Sequence, residues 1–349
     1  MKPVRLGFIG LGHISTHAHL PGLAPLVEAG EVVLQAFCDV SEENVKKQAE
    51  VFKPGAVYTH PHAMLEQEDL DAVYVCIPPT LHTDEILIAA GKGMAVFVEK
   101  PQSLDMAQAV RFDAAIRKAG VVSQVGFMSR YYPSAEKAHD LLKERTARHA
   151  QVQLFYSGKP VRYWTSRYEL CGGSFVENTI HTVDLLRYFL GDITHVSAFY
   201  VARKPGEGPE PMNLPHVYNV NYRFAGGATA NCTTSRVLTN VKASRREVLV
   251  VSDDSLIEWS GQRVVENGEP VYDVAERVNP FALQARAFVE AVRAGDPGRM
   301  RSSYENGMNS LASVLGANAS AERGGQVVAL EDFIAGKVSW TPENSSAGS

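Results

Sequence analysis

Cysteine is scarce, with four in 349 residues. Cys38, Cys76, Cys171 and Cys232 lie far apart and form no CxxC, which excludes a disulfide scaffold and a thiolate zinc ribbon. Reduced thiols in a cytoplasm are the expectation. Long apolar runs are missing too. No stretch approaches the ~20 residues needed to span a bilayer, and the apolar stretch after Met1-Lys2-Pro3-Val4-Arg5 meets glycines too soon for a secretory leader. No membrane association is expected. Positive charge is not in excess either. Lys and Arg number 34 against 39 Asp and Glu, a net charge of −5. That balance lacks the electrostatic footprint of a nucleic-acid binder or a polybasic membrane-surface protein. Internal repeats and low-complexity tracts are absent. What is present is ordinary globular composition, 45% hydrophobic and 21% charged, which argues against a disordered chain. The length exceeds what one compact core holds and suits two domains.

The first third alternates strand-like and helix-like segments. Apolar strand candidates at 4–9, 32–39, 71–77, 95–98 and 121–126 are separated by helix candidates at 80–90 and 105–119. Ser41, with Glu42 and Glu43 after it, marks a further helix start. This alternation implies a doubly wound, mostly parallel sheet. The middle changes character. Helices at 133–144 and 178–190 are joined by strand candidates at 150–156, 196–201, 217–224, 229–235 and 247–251, and Ala225-Gly226-Gly227 reads as a hairpin. Runs of strands with few helices imply an antiparallel sheet. Two helices, near 280–294 and 304–323, close the chain. The expected division is a dinucleotide-binding domain at 1–127, a substrate-binding and oligomerisation domain at 128–340, and a disordered tail at 341–349.

Gly10-x-Gly12-x-x-Ser15 follows the first strand and fits a phosphate-binding fingerprint. Gly10 permits a tight turn, Gly12 lets backbone amides approach a pyrophosphate, and the helix N-terminus adds positive dipole. Asp39, at the end of the second strand, can accept hydrogen bonds from the adenine ribose of NAD and would repel the 2′-phosphate of NADP. Its distance from the loop exceeds the usual ~20 residues, and Pro21-Gly22 and Pro25 account for an enlarged first crossover. NAD rather than NADP is the expected cofactor.

Two further groups carry chemistry. Glu99-Lys100-Pro101 follows a buried strand, at the carboxyl edge where doubly wound folds bind ligands. Lys100 there can donate a hydrogen bond to a substrate oxygen, although a loop charge is the plainer reading of the spacing alone. At roughly 100° per helical residue, Glu177, His181 and Asp184 fall on one stripe after Gly172-Gly173. An imidazole flanked by carboxylates suits a general base, while a solvated helix face is the alternative.

Taken in order, the glycine loop, Pro78-x-x-x-His82, Glu99-Lys100-Pro101, Gly126-Phe127-x-x-Arg130-Tyr131 and Gly172-Gly173 through His181-x-x-Asp184 resemble the Gfo/Idh/MocA oxidoreductase family over nearly the whole chain. The resemblance implies an N-terminal Rossmann domain and a second domain with a large open, mostly antiparallel sheet and flanking helices. It implies NAD(P)-linked hydride transfer at a carbon of a sugar, cyclic polyol or related alcohol, in a homodimer or homotetramer formed through the open sheet. Lys100 matches the family lysine that binds the reacting oxygen, and His181 the usual base. Glu177 stands where many members have Asp, and Thr179 where many have Gly. Asp184 is expected to anchor its helix. Cofactor contacts are implied at Gly10, Gly12, His13, Ile14, Asp39, Ile77, Pro78, His82, Glu99 and Lys100. Substrate contacts are expected at Arg130, Tyr131, Tyr163, Trp164, Arg167 and Asn178. Two rival readings share the fold: a glycosidase that retains its NAD, and a non-catalytic dinucleotide-binding sensor.

Other features carry less. His13, His17, His19, His60 and His62 have spacings that can suit zinc, but no Cys or carboxylate completes a set beside them, so no metal is expected. Cys171 reads as a passive thiol, and Arg245-Arg246 as a solvated strand end.

Overall fold

The structure, a computed structural model, describes residues 2–157, 162–204, 206–207, 210–238, 241, 243–274 and 278–342. Residues 343–349 of the tail lie outside that set. The chain divides into two compact units, one of residues 1–102, 108–131 and 279–307, the other of 103–107, 132–278 and 308–349. The sequence reading made the first domain one continuous run, 1–127. A late segment joins it instead.

The first unit contains β1 (Val4–Ile9), β2 (Val32–Cys38), β3 (Ala56–Tyr58), β4 (Ala72–Val75), β5 (Ala95–Val98) and β6 (Ser123–Val125). They pair in the order β3-β2-β1-β4-β5-β6, every neighbour parallel. All four residues of β4 and of β5 are buried, as strands covered on both faces require. The order reverses between β1 and β4, and in such sheets the crevice beyond the carboxyl ends at that reversal is the ligand position. Phe8, Tyr74 and Phe97 stack across three adjacent strands with centroids 4.7 and 4.3 Å apart. Phe288, on the helix Pro280–Ala294, meets Tyr74 and Phe97 edge-on at 5.5 and 5.7 Å. That aromatic contact is the physical reason the late helix belongs with the first sheet.

The second unit contains β7 (Ala147–Ser157), β8 (Ile193–Val201), β9 (Val217–Phe224), β10 (Thr229–Leu238), β11 (Arg245–Ser252), β12 (Leu256–Trp259), β13 (Arg263–Glu266), β14 (Glu269–Asp273) and β15 (Val328–Ala329). They form one sheet in the order β14-β13-β12-β11-β7-β10-β9-β8-β15. Only β7 and β10 run parallel; the other pairs are antiparallel. Burial alternates along β9, with Tyr218, Val220, Tyr222 and Phe224 buried and Asn219, Asn221 and Arg223 exposed, so one face is covered and the other open. The expected hairpin joins β9 to β10, closed by Gly227 N–H to Phe224 O at 3.0 Å. No helix among the described residues is long and apolar enough to cross a membrane.

Candidate active site

The glycine loop leaves β1 at Gly10, whose φ is +88°. A Cβ there would lie 2.5 Å from Cys76 O, so both the turn and the close approach of β4 require glycine. Gly12 differs, since a Cβ added to it meets nothing within 4 Å. The space above Gly12 is an open cradle. Ser15, at the third small position, is fully buried and donates its hydroxyl to Gly10 O at 2.6 Å, tying the helix to the strand. His13 and Ile14 open the helical stretch, and the His13 ring stacks on His17 with centroids 4.1 Å apart.

Asp39 lies just past β2 and organises the loop. Its Oδ2 accepts Leu11 N–H at 2.9 Å and Asn44 Nδ2 at 2.8 Å, and its Oδ1 accepts Ser41 N–H at 2.9 Å. Ser41 caps the next helix through Asn44 N–H at 3.1 Å. Ile77 follows β4, and its Cγ2 would lie 2.9 Å from a Cβ on Gly10. Pro78 then accepts Leu81 N–H in a tight turn. His82 has one ring nitrogen engaged and leaves Nε2 without a partner among the described residues. It is buried, and its Nδ1 lies 2.6 Å from Glu85 Oε1. Burial pushes the Glu85 carboxyl up, but His82 and the Thr83 N–H more than offset that and lower it overall. The expected helix at 80–90 therefore starts later, at Glu85, because that carboxylate holds the preceding turn.

Glu99 and Lys100 follow β5. Glu99 is 6% exposed; its Oε1 meets His19 Nε2 at 2.7 Å and its Oε2 accepts the Lys100 backbone N–H at 3.0 Å. A Cβ on Gly126 would lie 2.5 Å from Glu99 Oε1, so glycine there makes room for the carboxylate. His19 is enclosed by Phe97, Phe281 and Tyr74 at 4.9, 5.4 and 5.5 Å. Glu99 is thus an internal clasp on Lys100. The sequence reading missed His19, which it grouped with the other histidines. The signal was its phase, since His19, Leu23 and Leu26 share the buried face of one helix.

Arg130 and Tyr131, expected to touch substrate, are buried within the first unit at 4% exposure each. Arg130 Nη1 donates to Arg301 O, Arg301 Nη1 donates back to Arg130 O, and the Arg301 guanidinium lies 5.2 Å from the Tyr131 ring. The Tyr131 hydroxyl accepts a hydrogen bond from Gln124, and burial pushes its pKa to about 12. These residues fasten the late segment to the first unit.

In the second unit Gly172 and Gly173 both have positive φ, and a Cβ on Gly173 would lie 2.8 Å from Tyr218 Oη. Ser174 N–H donates to that same oxygen at 3.0 Å. A π-helical turn, Phe175–Thr179, precedes the α-helix Ile180–Leu190. Glu177 lies in the π-helical turn, and His181 and Asp184 lie in the α-helix that follows it. Glu177 and His181 are partly exposed, whereas Asp184 is fully buried. Its Oδ1 accepts Ser310 Oγ at 2.8 Å and faces Arg187 at 3.7 Å, which anchors the helix. Cys171 is buried, and desolvation pushes its thiol up to about 12, so it holds no thiolate at neutral pH. Tyr163 is exposed, Trp164 and Asn178 partly so. Arg167 is engaged by Glu169 Oε1 at 2.7 Å. Among the described residues, no group of three or more His, Cys, Asp or Glu could hold a metal ion.

The first unit thus offers a glycine cradle, an acid beside that loop and a lysine whose backbone is clasped, and the second a partly exposed histidine on an anchored helix. Residues 4–127 match a family model described as an oxidoreductase family with an NAD-binding Rossmann fold, and residues 146–254 match a GFO/IDH/MocA C-terminal domain. A myo-inositol 2-dehydrogenase from Thermotoga maritima is 31% identical over 95% of this chain and 100% of its own length. A dTDP-3,4-didehydro-2,6-dideoxy-alpha-D-glucose 3-reductase from Actinomadura kijaniata is 27% identical over 84% of this chain and 89% of its own. The crystal structure of a probable dehydrogenase from Thermotoga maritima superposes with a TM-score of 0.79 at 25% identity, covering 95% of this chain and 100% of the other.

Proposed function

The chain belongs to the Gfo/Idh/MocA oxidoreductase family, and we propose that it is an NAD-dependent dehydrogenase or reductase of a sugar, polyol or related alcohol. The observation that carries this reading is the full-length similarity to a myo-inositol 2-dehydrogenase. The residues present fit the dinucleotide. Gly10 and the open cradle at Gly12 would hold the pyrophosphate, and Asp39 the adenine ribose. Bound there, NAD supplies the hydride acceptor.

In this reading Lys100 donates a hydrogen bond to the substrate oxygen, and His181 takes the hydroxyl proton as general base. Glu99 keeps the Lys100 backbone in place through its N–H, and Asp184 fixes the helix that carries His181. Glu177 is assigned to orient His181 or the substrate. His82, Arg130 and Tyr131 take positioning roles, because each is buried among its own unit's partners. Tyr163, Trp164 and Asn178 remain the substrate-facing candidates, with Arg167 held by Glu169.

We also assign a homodimer or homotetramer formed through the open sheet face, where Phe199 and Val201 are 60% and 55% exposed beside the amides of Asn219, Asn221 and Asn231. Four unpaired cysteines support a reducing, cytoplasmic setting. The test is a panel of sugars and polyols offered with NAD and NADP, read as absorbance of the reduced cofactor. Turnover with NAD supports the reading, and NAD binding without turnover of any member sinks it.

A further inference from the structure

The neighbouring arginines of β11 are both exposed but differ in their partners. Arg245 is taken by Glu247 at 2.8 Å. Arg246 stands opposite Leu154 of β7 in the antiparallel register. Because Val248 and Val250 are buried, strand alternation places Arg246 on that same face. Leu154 puts Tyr156 there in the same way, and buried Thr234 puts Arg236 there. Three adjacent strands therefore bring Tyr156, Arg236 and Arg246 into one patch, in which Tyr156 and Arg236 are partly exposed and Arg246 is exposed.

The guanidinium of Arg236 lies 4.9 Å from the Tyr156 ring centroid and that of Arg246 lies 5.6 Å from it. Arg236 Nε donates to Ser174 Oγ at 2.6 Å, and Ser174 is the residue that leads into the helical stretch bearing His181. Elsewhere in this unit Arg145, Arg148, Arg167 and Arg187 each meet a carboxylate. Arg236 and Arg246 meet none among the described residues. Two like charges on one ring repel, and an anion shared between them would offset that repulsion. Planar guanidinium forks match carboxylate and phosphate oxygens.

We propose that Arg236 and Arg246, on either side of Tyr156, form an oxyanion subsite, so that the substrate is a sugar or polyol bearing a carboxylate or a phosphate. This rests on the dehydrogenase reading for the hydroxyl placed at His181. Glucose, glucuronate and glucose 6-phosphate form a matched set. Two measurements are made on each. One is kcat/KM for reduction of NAD, and the other is the calorimetric Kd on NADH-loaded protein.

At least one anion is expected to exceed glucose by about tenfold or more, the usual scale of a charge-assisted contact, and the advantage should shrink in salt. Whether glucuronate or glucose 6-phosphate leads identifies the group. Arg246→Gln should reduce the anion-to-glucose ratio by about tenfold, in KM more than kcat, and Arg246→Lys should restore part of it. Arg246 is the primary variant because Arg236 also holds Ser174. Equal binding of all three sugars, or a ratio that Arg246→Gln leaves unmoved, overturns the subsite. Turnover of glucose with no anion advantage overturns it while the dehydrogenase reading stands. Salt-sensitive, Arg246-dependent anion binding without any reduction of NAD does the reverse.

Discussion

Replacing His19 by leucine isolates the clasp on Lys100. His19 is 2% exposed and Glu99 is 6% exposed, so their pairing at 2.7 Å is out of reach of solvent. Leucine fills much of the ring's volume against Phe97, Phe281 and Tyr74, but it strands the Glu99 carboxylate with one backbone donor. Leaving a buried acceptor without its hydrogen-bond partner typically costs about 1–3 kcal/mol. Unfolding of a two-unit chain is not a single transition, so the loss is best read from hydrogen exchange of the β1, β4 and β5 amides, which report the opening of the first sheet. His19→Leu should lower their protection by that amount. Adding Glu99→Gln in the same chain removes the stranded charge and should return most of it. Catalysis supplies a second readout. Displacement of the Lys100 backbone should lower kcat by up to about a hundredfold, with NAD affinity nearly kept. A stability loss under about 1 kcal/mol, or no recovery on adding Glu99→Gln, would refute the buried clasp.

The two loop glycines should respond oppositely. Gly12→Ala should leave the melting temperature almost unmoved, within about 0.5 kcal/mol of stability, while weakening NAD binding measured by calorimetry. Gly10→Ala should destabilise the fold itself, by about 1–3 kcal/mol from overpacking alone, as judged by urea unfolding. Asp39→Asn keeps the shape of the side chain that holds Leu11 N–H, so it should narrow the preference for NAD over NADP without opening the loop; tighter NADP binding in the wild type would contradict that role. Burial raises the Cys171 thiol to about 12, so its stabilising share is present below the unfolded value near 8.5 and is lost as pH rises toward 12. The slope is up to about 1.4 kcal/mol per pH unit. Cys171→Ala should flatten the alkaline fall in urea midpoint by about that slope, and native protein should resist alkylation at this thiol.

Much of the first unit was legible because parallel strands buried on both faces leave continuous apolar runs, as β4 and β5 do. The glycine loop and Asp39 were legible for the same local reason, since turn chemistry sits in adjacent residues. What stayed hidden depended on distance along the chain. Nothing near residue 280 says that Phe288 will meet Tyr74 and Phe97, so the discontinuous first unit could not be read. The contacts of Arg130 and Tyr131 with Arg301 join residues far apart in sequence. The pairing of His82 Nδ1 with Glu85 lies one helical turn away and carries no distinctive motif. Regular periodicity did not disclose the π-helical turn that precedes His181. Strands as short as β3 and β15 leave too little pattern to detect.

Reduction of NAD by a sugar or polyol, followed for the wild type, Lys100→Ala and His181→Ala, tests the central claim most directly. The wild type should form reduced cofactor in proportion to the substrate consumed. Both variants should bind NAD nearly as well and lose roughly 10²–10⁴ in kcat, the scale of a positioned acid–base group. Wild-type turnover in His181→Ala, or free sugar released from a glycoside with no net reduced cofactor in the wild type, would contradict it.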